Sequence, residues 1–353
     1  MKALILSGGT GSRLKPVTYS IPKQLIPIAN KPILYHVIEK VAEAGIKDIG
    51  IVVGDTHQQI KEAVGEGGMW HVNITYIYQP LPLGLAHAVK TASDFIGEDE
   101  FLMILGDNLF EMDLDDIIDN FYYSSASASI LLHKADDPSQ FGVAVINDGN
   151  ITQLVEKPKE FISSFIITGI YIFNKNIFNA IERIKPSERG ELEITDAIQN
   201  LIETGHKVGY ELTAGWWKDT GKPHDILEAN HLVLSGMEGC IQGLMHENSV
   251  LKGNIQTGRN VIISNSTIQG PVIIGDGSTI TNSFINSFTS IGSNVKIDGC
   301  KIHNSIIMQG SELCNAGWDM KDCLIGRNVI LRGARIDQSA LRLILSDSCE
   351  IYF

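Results

Sequence analysis

The first two thirds of the chain alternates two hydrophobic patterns. Four short, continuous apolar runs predict strands buried on both faces, because a strand with one exposed face would alternate apolar and polar residues; they are Lys2–Leu6, Ile49–Val53, Ile74–Tyr78 and Phe101–Leu105. Between them, apolar residues three and four positions apart predict helices over Pro32–Ala44, Leu85–Phe95 and Leu114–Phe121. This alternation predicts a mostly parallel α/β sheet, with a ligand crevice beyond the carboxyl ends of its strands.

The last third has a different pattern, in which helical spacing disappears and six-residue units led by isoleucine recur. Three of them are Ile274–Thr279, Ile291–Lys296 and Ile325–Ile330, and their leading residues stand 17 and then 34 residues apart. Such a period is typical of a hexapeptide parallel β-helix, whose corners take Gly, Asn and Asp. From about residue 250 onward the chain would form roughly six coils. The alternative, a Gly-rich antiparallel sandwich, would show alternation without this register.

The change of pattern divides the 353 residues into two predicted domains, 1–237 and 238–353. The composition, 44% hydrophobic and 20% charged, excludes a disordered or fibrous chain. A net charge of −13 argues against nucleic-acid binding and against an anionic membrane surface, so any phosphate site must be local. The first apolar run is too short for a signal peptide and no transmembrane-length run occurs, which predicts a cytoplasmic protein. Five cysteines without a C-x-x-C pair are expected to be small buried hydrophobes.

A glycine-rich loop follows the first predicted strand. In Gly8-Gly9-Thr10-Gly11 the backbone N–H groups could surround phosphate oxygens, and Arg13 adds a cation. The dinucleotide fingerprint fails because Leu14 stands at its third glycine position, and no Gly-Lys-Ser/Thr follows as a P-loop requires. A plain tight turn stays open as the alternative. Lys23, in a second loop, favours a triphosphate site.

Two aspartates follow extended stretches. Asp107 comes directly after the fourth predicted strand, at the sheet edge where a crevice is expected, and Asp219 lies in a later turn. Mg²⁺ prefers one or two carboxylates together with phosphate oxygens, so the two could share one ion. For Asp107, an Asx-turn or a helix cap is the alternative interpretation.

Further polar groups suit a base and a sugar phosphate. Gln79 opens a proline-rich loop and offers both a donor and an acceptor to a pyrimidine edge. Carboxylates, hydroxyls and a lysine at predicted strand ends suit a phosphorylated sugar, although isolated triplets of this kind are commonly solvated turns; they lie in Phe141–Gly142, Glu156–Pro158 and Thr168–Tyr171. Arg189 precedes carboxylates that suit a helix N-terminus, and it is the residue of that segment that a phosphate could use.

Taken together, the order of motifs resembles the sugar-1-phosphate nucleotidylyltransferases, and among them the thymidylyl-transferring members in their longer form. The resemblance rests on Gly8–Leu14, Pro22–Gln24, Gln79–Gly84, Gly106–Asn108, Glu156–Pro158, Thr168–Gly169 and Asp219–Gly221. It implies a Rossmann-like nucleotidyltransferase domain with a mostly parallel sheet, followed by a left-handed parallel β-helix. Leu81 and Leu83 depart from shorter members, which carry more polar residues in this loop.

The resemblance also implies a role for individual residues. The nucleotide phosphates would be wrapped by the glycine loop and neutralised by two cations, namely Gly8, Gly9, Thr10, Gly11, Arg13 and Lys23. The thymine ring would be read by Gln24, Gln79 and the backbone of Gly84, and Asp107 and Asp219 would hold Mg²⁺. The glucose pocket would be lined by Gly142, Glu156, Lys157 and Ile167, with Lys157 and Arg189 facing the sugar's phosphate.

The implied reaction is transfer of a thymidylyl group from dTTP to glucose 1-phosphate, with release of pyrophosphate. The implied catalytic residues are Arg13, Lys23, Asp107, Lys157 and Asp219. A homo-oligomer assembled through the β-helix is expected. Three alternatives stay open. The first is use of UTP or another sugar, the second an additional acyltransferase activity in the β-helix with His303 as base, and the third a non-catalytic subunit that binds sugar nucleotides.

Overall fold

The structure, a computed structural model, describes residues 1–242, 244–245, 248–333 and 340–352. The chain forms two compact units, which are discontinuous in sequence. One unit contains Met1–Thr10 and Leu34–Asp219, and the other contains Gly11–Ile33 and Thr220–Phe353. The predicted boundary between residues 237 and 238 stays a prediction.

The first two thirds of the chain contains thirteen strands and eight α-helices. The strands are β1 (Lys2–Leu6), β2 (Pro27–Ile28), β3 (Lys31–Pro32), β4 (Asp48–Val53), β5 (Asn73–Tyr78), β6 (Phe101–Leu105), β7 (Asn108–Phe110), β8 (Ala128–Lys134), β9 (Gly142–Asn147), β10 (Asn150–Glu156), β11 (Phe165–Phe173), β12 (Val208–Leu212) and β13 (Trp217–Asp219). The helices are α1 (Ile33–Glu43), α2 (His57–Val64), α3 (Leu85–Thr91), α4 (Ser93–Ile96), α5 (Asp115–Ser124), α6 (Asn176–Arg183), α7 (Ile194–Glu203) and α8 (Pro223–Ser235).

The first unit is built around one twisted sheet in the order β10-β9-β11-β6-β1-β4-β5, with β8 pairing to β11 and β12. The strands predicted from continuous apolar runs are its parallel part: β1 pairs in parallel with β4 and β6, and β4 with β5. Strand β11 runs antiparallel to β6 and β8 and extends the sheet on the other side. The parallel α/β prediction is therefore confirmed, with an antiparallel extension that the apolar runs do not indicate.

The predicted helices are present with small differences at their ends. The segment predicted as one helix over Leu85–Phe95 forms α3 and α4, which are interrupted at Ala92. Pro32, predicted as the first helical residue, instead belongs to β3, and α1 begins one residue later. Element ends are the least sharply determined part of such a pattern, because a few capping contacts decide them.

The second unit contains short parallel strands that stack in register. They are β14 (Leu244–Met245), β15 (Val250–Lys252), β16 (Ile255–Thr257), β17 (Ile262–Ser264), β18 (Thr267–Gln269), β19 (Val272–Ile274), β20 (Thr279–Thr281), β21 (Phe284–Ile285), β22 (Thr289–Ile291), β23 (Lys296–His303), β24 (Ile306–Ile307), β25 (Glu312–Lys321), β26 (Leu324–Ile325), β27 (Ile330–Arg332), β28 (Ile344–Leu345) and β29 (Glu350–Tyr352). One face is the six-stranded parallel sheet β16-β19-β22-β24-β26-β28, which confirms the predicted parallel β-helix in the described part of this region. Residues 243, 246, 247, 334–339 and 353 of the predicted β-helix domain lie outside the described residues.

The register explains the spacing of the isoleucine-led units. Ile274 pairs with Ile291, a step of 17 residues, whereas Ile291 pairs with Ile307 and Ile307 with Ile325, steps of 16 and 18. The 34-residue gap in the sequence therefore contains two coils of unequal length. At the corners, asparagines adopt positive φ, as in Asn294 (φ 56°), which the left-handed conformation permits with little strain.

The N-terminal segment of the second unit is held by a buried asparagine of α8. Asn230 has no exposed surface, and its Oδ1 accepts hydrogen bonds from Ala29 N (2.9 Å) and Ser290 Oγ (2.6 Å). Its Nδ2 donates to Phe288 O (3.1 Å). One side chain thus joins α8, the β2–β3 connection and two residues of the β-helix.

Across the described ranges, α8 is the longest helix, and none of the helices there has the length and apolar character needed to cross a bilayer.

Candidate active site

The glycine loop leaves the carboxyl end of β1 in the middle of the parallel strands. Ser7 N donates to Val52 O (2.8 Å), so the loop starts where β1 and β4 end together. A Cβ on Gly8 would lie 3.4 Å from Gln79 Oε1, so the backbone of the loop passes close to that amide. The structure therefore brings Gly8, and with it the start of the predicted phosphate loop, beside the predicted base-reading residue.

Gln79 and Gly84 belong to one tightly held loop. Gln79 N donates to Val53 O (2.8 Å) at the end of β5, and the side chain is buried. Gly84 has φ +101°, and a Cβ there would collide with the carbonyl oxygen of Leu192 and lie 2.8 Å from its nitrogen. Leu192 N donates to Leu83 O (2.8 Å), which fixes the loop against the segment before α7. Only glycine fits at position 84 without moving this segment.

Four predicted site residues beyond Thr10 belong to the second unit, namely Gly11, Arg13, Lys23 and Gln24. The short 3₁₀ helices Ser12–Leu14 and Lys23–Leu25 carry Arg13, Lys23 and Gln24. Gly11 has φ +62°, and a Cβ there would lie 3.1 Å from the Cβ of Lys23, so Lys23 is packed against the end of the glycine loop. Gln24 is only 2% exposed, and its Oε1 has no hydrogen-bond partner in the described part of the chain. Such an orphaned buried acceptor is what a ligand-binding amide would look like without its ligand.

Asp107 lies in the turn before β7, and Asp219 is the last residue of β13. Strand β13 pairs with β7 in antiparallel orientation, and Asp219 stands opposite Asn108, the residue that follows Asp107. Asn108 is buried, and its Nδ2 donates to Thr168 O (2.6 Å), which also accepts from Trp217 Nε1 (3.1 Å). These hydrogen bonds tie β7, which follows Asp107, and β13, which ends at Asp219, to β11.

The donor set around these aspartates fits Mg²⁺. A hard cation of this kind takes one or two carboxylates and completes its shell with substrate phosphates and water. Asn108 Oδ1 is a buried oxygen with no partner within the described residues, beside the two acidic positions. Within the described ranges, no group of three or more His, Cys, Asp or Glu side chains is arranged so that it could hold a metal ion, as a closed zinc-type site would require.

The residues predicted for a sugar pocket lie together around Glu156. This residue ends β10 opposite Gly142, where a Cβ would lie 3.2 Å from both Glu156 Oε2 and Ile167 Cδ1. Thr195 Oγ1 donates to Glu156 Oε2 (3.3 Å) and is a polar member that the sequence did not single out. Lys157 Nζ lies 3.5 Å from Glu156 Oε1. The resulting group joins one carboxylate, one hydroxyl and one ammonium around a glycine that leaves room.

Arg189 joins this group through carboxylates on both sides. Its Nη1 lies 3.6 Å from Glu156 Oε1 and its Nε 3.3 Å from Glu193 Oε1, while Nη2 pairs with Glu191. Burial, followed by the charges of Glu156 and Glu191, raises the pKa of Glu193, although hydrogen bonding from Ser187 and the charge of Arg189 oppose the shift. The cluster is therefore a mixed-charge site in which an anionic ligand would compete with the carboxylates for Arg189.

Glu191 and Glu193 have a different role from the one expected of them. They were expected to open a helix and interact with its dipole, yet α7 begins at Ile194, and both carboxylates pair with Arg189 before it. An arginine followed at two and four residues by glutamates is the signal that could have indicated this cluster.

Two other contacting residues escape sequence reasoning. His87 lies on α3, and its Nδ1 is 2.9 Å from Gln79 Nε2. Asn108 follows Asp107 in the sequence like a turn residue, and only the structure shows the hydrogen bond from its Nδ2 to Thr168 O. Neither contact is visible in the sequence, because Gln79 and His87 are eight residues apart across a loop and Asn108 and Thr168 are 60 residues apart.

Comparisons with known proteins agree with this arrangement. The sequence model described as "Nucleotidyl transferase" matches residues 2–236. The chain belongs to the nucleotidyl transferase family. It is 42% identical to a glucose-1-phosphate thymidylyltransferase of Streptomyces antibioticus over 99% of both chains. It is 44% identical to the low-salt glycan biosynthesis nucleotidyltransferase Agl11 of Haloferax volcanii, over 95% of this chain and 94% of the relative.

A solved structure described as a glucose-1-phosphate thymidylyltransferase from Bacillus anthracis, in complex with a sucrose, is also similar. The two share 40% sequence identity and superpose with a TM-score of 0.63 over 66% of this chain and 94% of the other. This nucleotidyltransferase is therefore an enzyme whose family-defining part is the α/β region, as the motif order in the sequence indicates.

Proposed function

We propose that this nucleotidyltransferase transfers a thymidylyl group from dTTP to glucose 1-phosphate and requires Mg²⁺. The observation that carries the proposal is the group around Glu156, where Lys157 and Arg189 lie within 3.6 Å of one carboxylate beside Gly142. Hydroxyl-binding and phosphate-binding side chains stand together there, as a phosphorylated sugar requires. Relatives that carry the thymidylyltransferase name align along nearly the whole chain.

The chemistry asked of the protein is charge neutralisation rather than proton transfer. A phosphate oxygen of the sugar phosphate attacks the α-phosphorus of dTTP, and the bond from that phosphorus to pyrophosphate breaks. A sugar phosphate has its second pKa near ~6 and is largely dianionic at neutral pH, so no general base is needed. The barrier comes from repulsion between anions, which positioned cations and backbone N–H groups lower.

Each part of the site has a task in this proposal. Lys157 and Arg189 bind the sugar's phosphate, and Glu156 binds its hydroxyls. Gly8, Gly9, Thr10 and Gly11 bind the nucleotide phosphates, with Arg13 and Lys23 supplying positive charge; Gln24, Gln79 and the backbone of Gly84 bind the base. Asp107 and Asp219 would hold Mg²⁺, which supplies charge neutralisation to phosphate oxygens when bound.

The test is a matrix of nucleoside triphosphates against sugar 1-phosphates, with pyrophosphate release and sugar-nucleotide formation measured in the presence and absence of Mg²⁺. We expect the highest kcat/KM for dTTP with glucose 1-phosphate and loss of turnover with a chelator. A higher kcat/KM for another pair would replace the substrates in the proposal, and no product in any cell of the matrix would overturn it. An added assay of acetyl transfer to an amino-sugar phosphate, with His303→Ala as the comparison, detects the second activity left open by the sequence.

The long β-helix is expected to hold copies of the chain together, since stacked coils offer flat side faces. Sedimentation of the full chain measures this, and a monomer at micromolar concentration would contradict it.

A further inference from the structure

The side chain of Gln79 is held by its donor end. Within the described residues, Nε2 donates to Gly84 O (3.4 Å) and lies 2.9 Å from His87 Nδ1. The other end, Oε1, points toward the glycine loop, since a Cβ on Gly8 would be 3.4 Å from it. The amide therefore presents an acceptor, not a donor, on the side of the predicted phosphate loop.

His87, together with the carbonyl oxygen of Gly84, decides which end that is. An amide is nearly symmetrical in shape, so packing alone does not separate its two orientations, and a hydrogen-bond partner of fixed character must do so. Burial, and then the charge of Lys90, lowers the pKa of His87, which keeps the ring neutral at neutral pH. In the neutral ring, Nδ1 facing an amide N–H is an acceptor, and Nε2 carries the proton.

Gln79 has little freedom to escape this constraint. It is 8% exposed, and its backbone is fixed by the hydrogen bond to Val53 O (2.8 Å). His87 is anchored in turn on α3, whose start is held by Ala86 N donating to Leu192 O (3.1 Å). The pair is thus held by the ends of a strand and a helix and not by a mobile loop.

We propose that His87 is a specificity-determining positioning residue: by accepting from Gln79 Nε2 it turns Gln79 Oε1 toward the nucleotide, so that the site selects bases with a ring N3–H. Thymine and uracil carry this donor, whereas N3 of cytosine is an acceptor and would face Oε1 unpaired. Two acceptors that face each other in a buried site both lack a hydrogen-bond donor. The free-energy difference between binding thymine and binding cytosine is therefore larger than the loss of one contact alone would give. The inference rests on the proposed function, in which Gln79 reads the base.

Three variants test the inference in the full-length chain with Mg²⁺ and glucose 1-phosphate. The ratio of kcat/KM for dTTP to that for dCTP is the readout, and the ratio for dTTP to UTP is an internal control because both bases carry N3–H. His87→Ala should lower the dTTP:dCTP ratio by about tenfold and leave dTTP:UTP unchanged. His87→Lys introduces a side chain that can only donate, so it should turn Gln79 Nε2 outward and lower the dTTP:dCTP ratio further. This effect should appear in the KM for the nucleotide. His206→Ala, a histidine bonded to Thr204 in the α7–β12 connection, is the matched control.

The outcomes separate the two proposals. If the wild-type chain turns over dTTP but both His87 variants keep its dTTP:dCTP ratio, the inference about His87 is wrong and the proposed function stands. If the wild-type chain makes no product with any triphosphate, both fail. If His87→Lys does not fold, as shown by thermal unfolding, His87→Ala decides alone. Equal losses for dTTP, UTP and dCTP would indicate a purely structural role and would also overturn the inference.

Discussion

Gly84 and Leu192 are in backbone contact, although 108 positions separate them in the sequence. A side chain at Gly84 would collide with the Leu192 carbonyl oxygen, and Leu192 N donates to Leu83 O (2.8 Å). Leu192 stands between Glu191 and Glu193, the two residues that pair with Arg189. The loop that follows Gln79 and the mixed-charge cluster are thus held by one segment.

Substitution Gly84→Ala should therefore impair both halves of the site. The methyl group would displace Leu192, and shifts of this kind can cost on the order of 10- to 100-fold in kcat/KM. Steady-state kinetics should show a higher KM for both dTTP and the sugar phosphate. Gly97→Ala is the matched control, since Gly97 also has positive φ (+64°) but nothing within 4 Å of a Cβ. Equal effects of the two substitutions would mean that backbone strain, and not the contact with Leu192, is responsible.

Removal of either carboxylate, by Asp107→Asn or Asp219→Asn, should lower turnover on the order of 10²-fold or more, by analogy with the loss of a preorganised electrostatic group. The reason is their placement beside two paired strands, with Asp107 directly before β7 and Asp219 in β13 opposite Asn108. Turnover as a function of Mg²⁺ concentration is the measurement. Asp148→Asn, in the exposed β9–β10 turn with φ 48°, is the control because Asn tolerates that backbone. Wild-type rates for one of the aspartate variants would remove that residue from the site.

Lys157→Ala should raise KM for glucose 1-phosphate by roughly tenfold or more, because a hydrogen bond to a charged group is lost. The KM for dTTP should change little, since the contact of Lys157 is with Glu156 in the sugar-side group. Lys159→Ala, whose side chain is 91% exposed, controls for removal of one positive charge nearby. A change confined to the nucleotide KM would reverse the assignment of the two pockets.

Asn230→Ala should destabilise the second unit by about 2 to 4 kcal/mol, because it leaves buried polar groups without partners. The groups are Ala29 N, Ser290 Oγ and Phe288 O. Calorimetry should show a lower transition for the cooperative unit that contains the β-helix. Ser235→Ala, on the exposed side of the same helix, loses one local hydrogen bond to His231 O and should be nearly neutral. Equal stability of both variants would refute the role given to Asn230.

The raised pKa of Glu193 has a consequence for stability as a function of pH. The folded protein holds this proton at pH values where the unfolded chain has already lost it, so the stabilising contribution of Glu193 falls as pH rises through the raised value. The difference in Tm between wild type and Glu193→Gln should therefore shift against the wild type as pH rises above the ordinary pKa of a glutamate. Thermal unfolding of both proteins at several pH values checks this. A difference that moves in the opposite direction would mean that Arg189 and Ser187 outweigh burial.

Local pattern was sufficient for much of the fold. Continuous apolar runs such as Phe101–Leu105 predicted the central parallel strands directly, because a strand covered on both faces has no polar positions to break the run. The β-helix followed from its period, since every coil must place an aliphatic residue at the same level of the stack. The antiparallel strand β11 was not indicated as part of the same sheet, because pairing partners are chosen by packing and not by the strand's own residues.

For the candidate site, the sequence by itself determined which residues have the right chemistry. They are glycines that leave backbone N–H groups accessible, two aspartates, a cation next to Glu156, and the cation Arg189. Only the tertiary structure decided which of them meet. Asp219 reaches the neighbourhood of Asp107 through strand pairing, Glu193 pairs with Arg189 instead of serving a helix dipole, and His87 contacts Gln79. Strand pairing joins segments far apart in sequence, whereas the other two contacts join residues four and eight positions apart, in segments whose path is set by burial against the shared core rather than by a local preference.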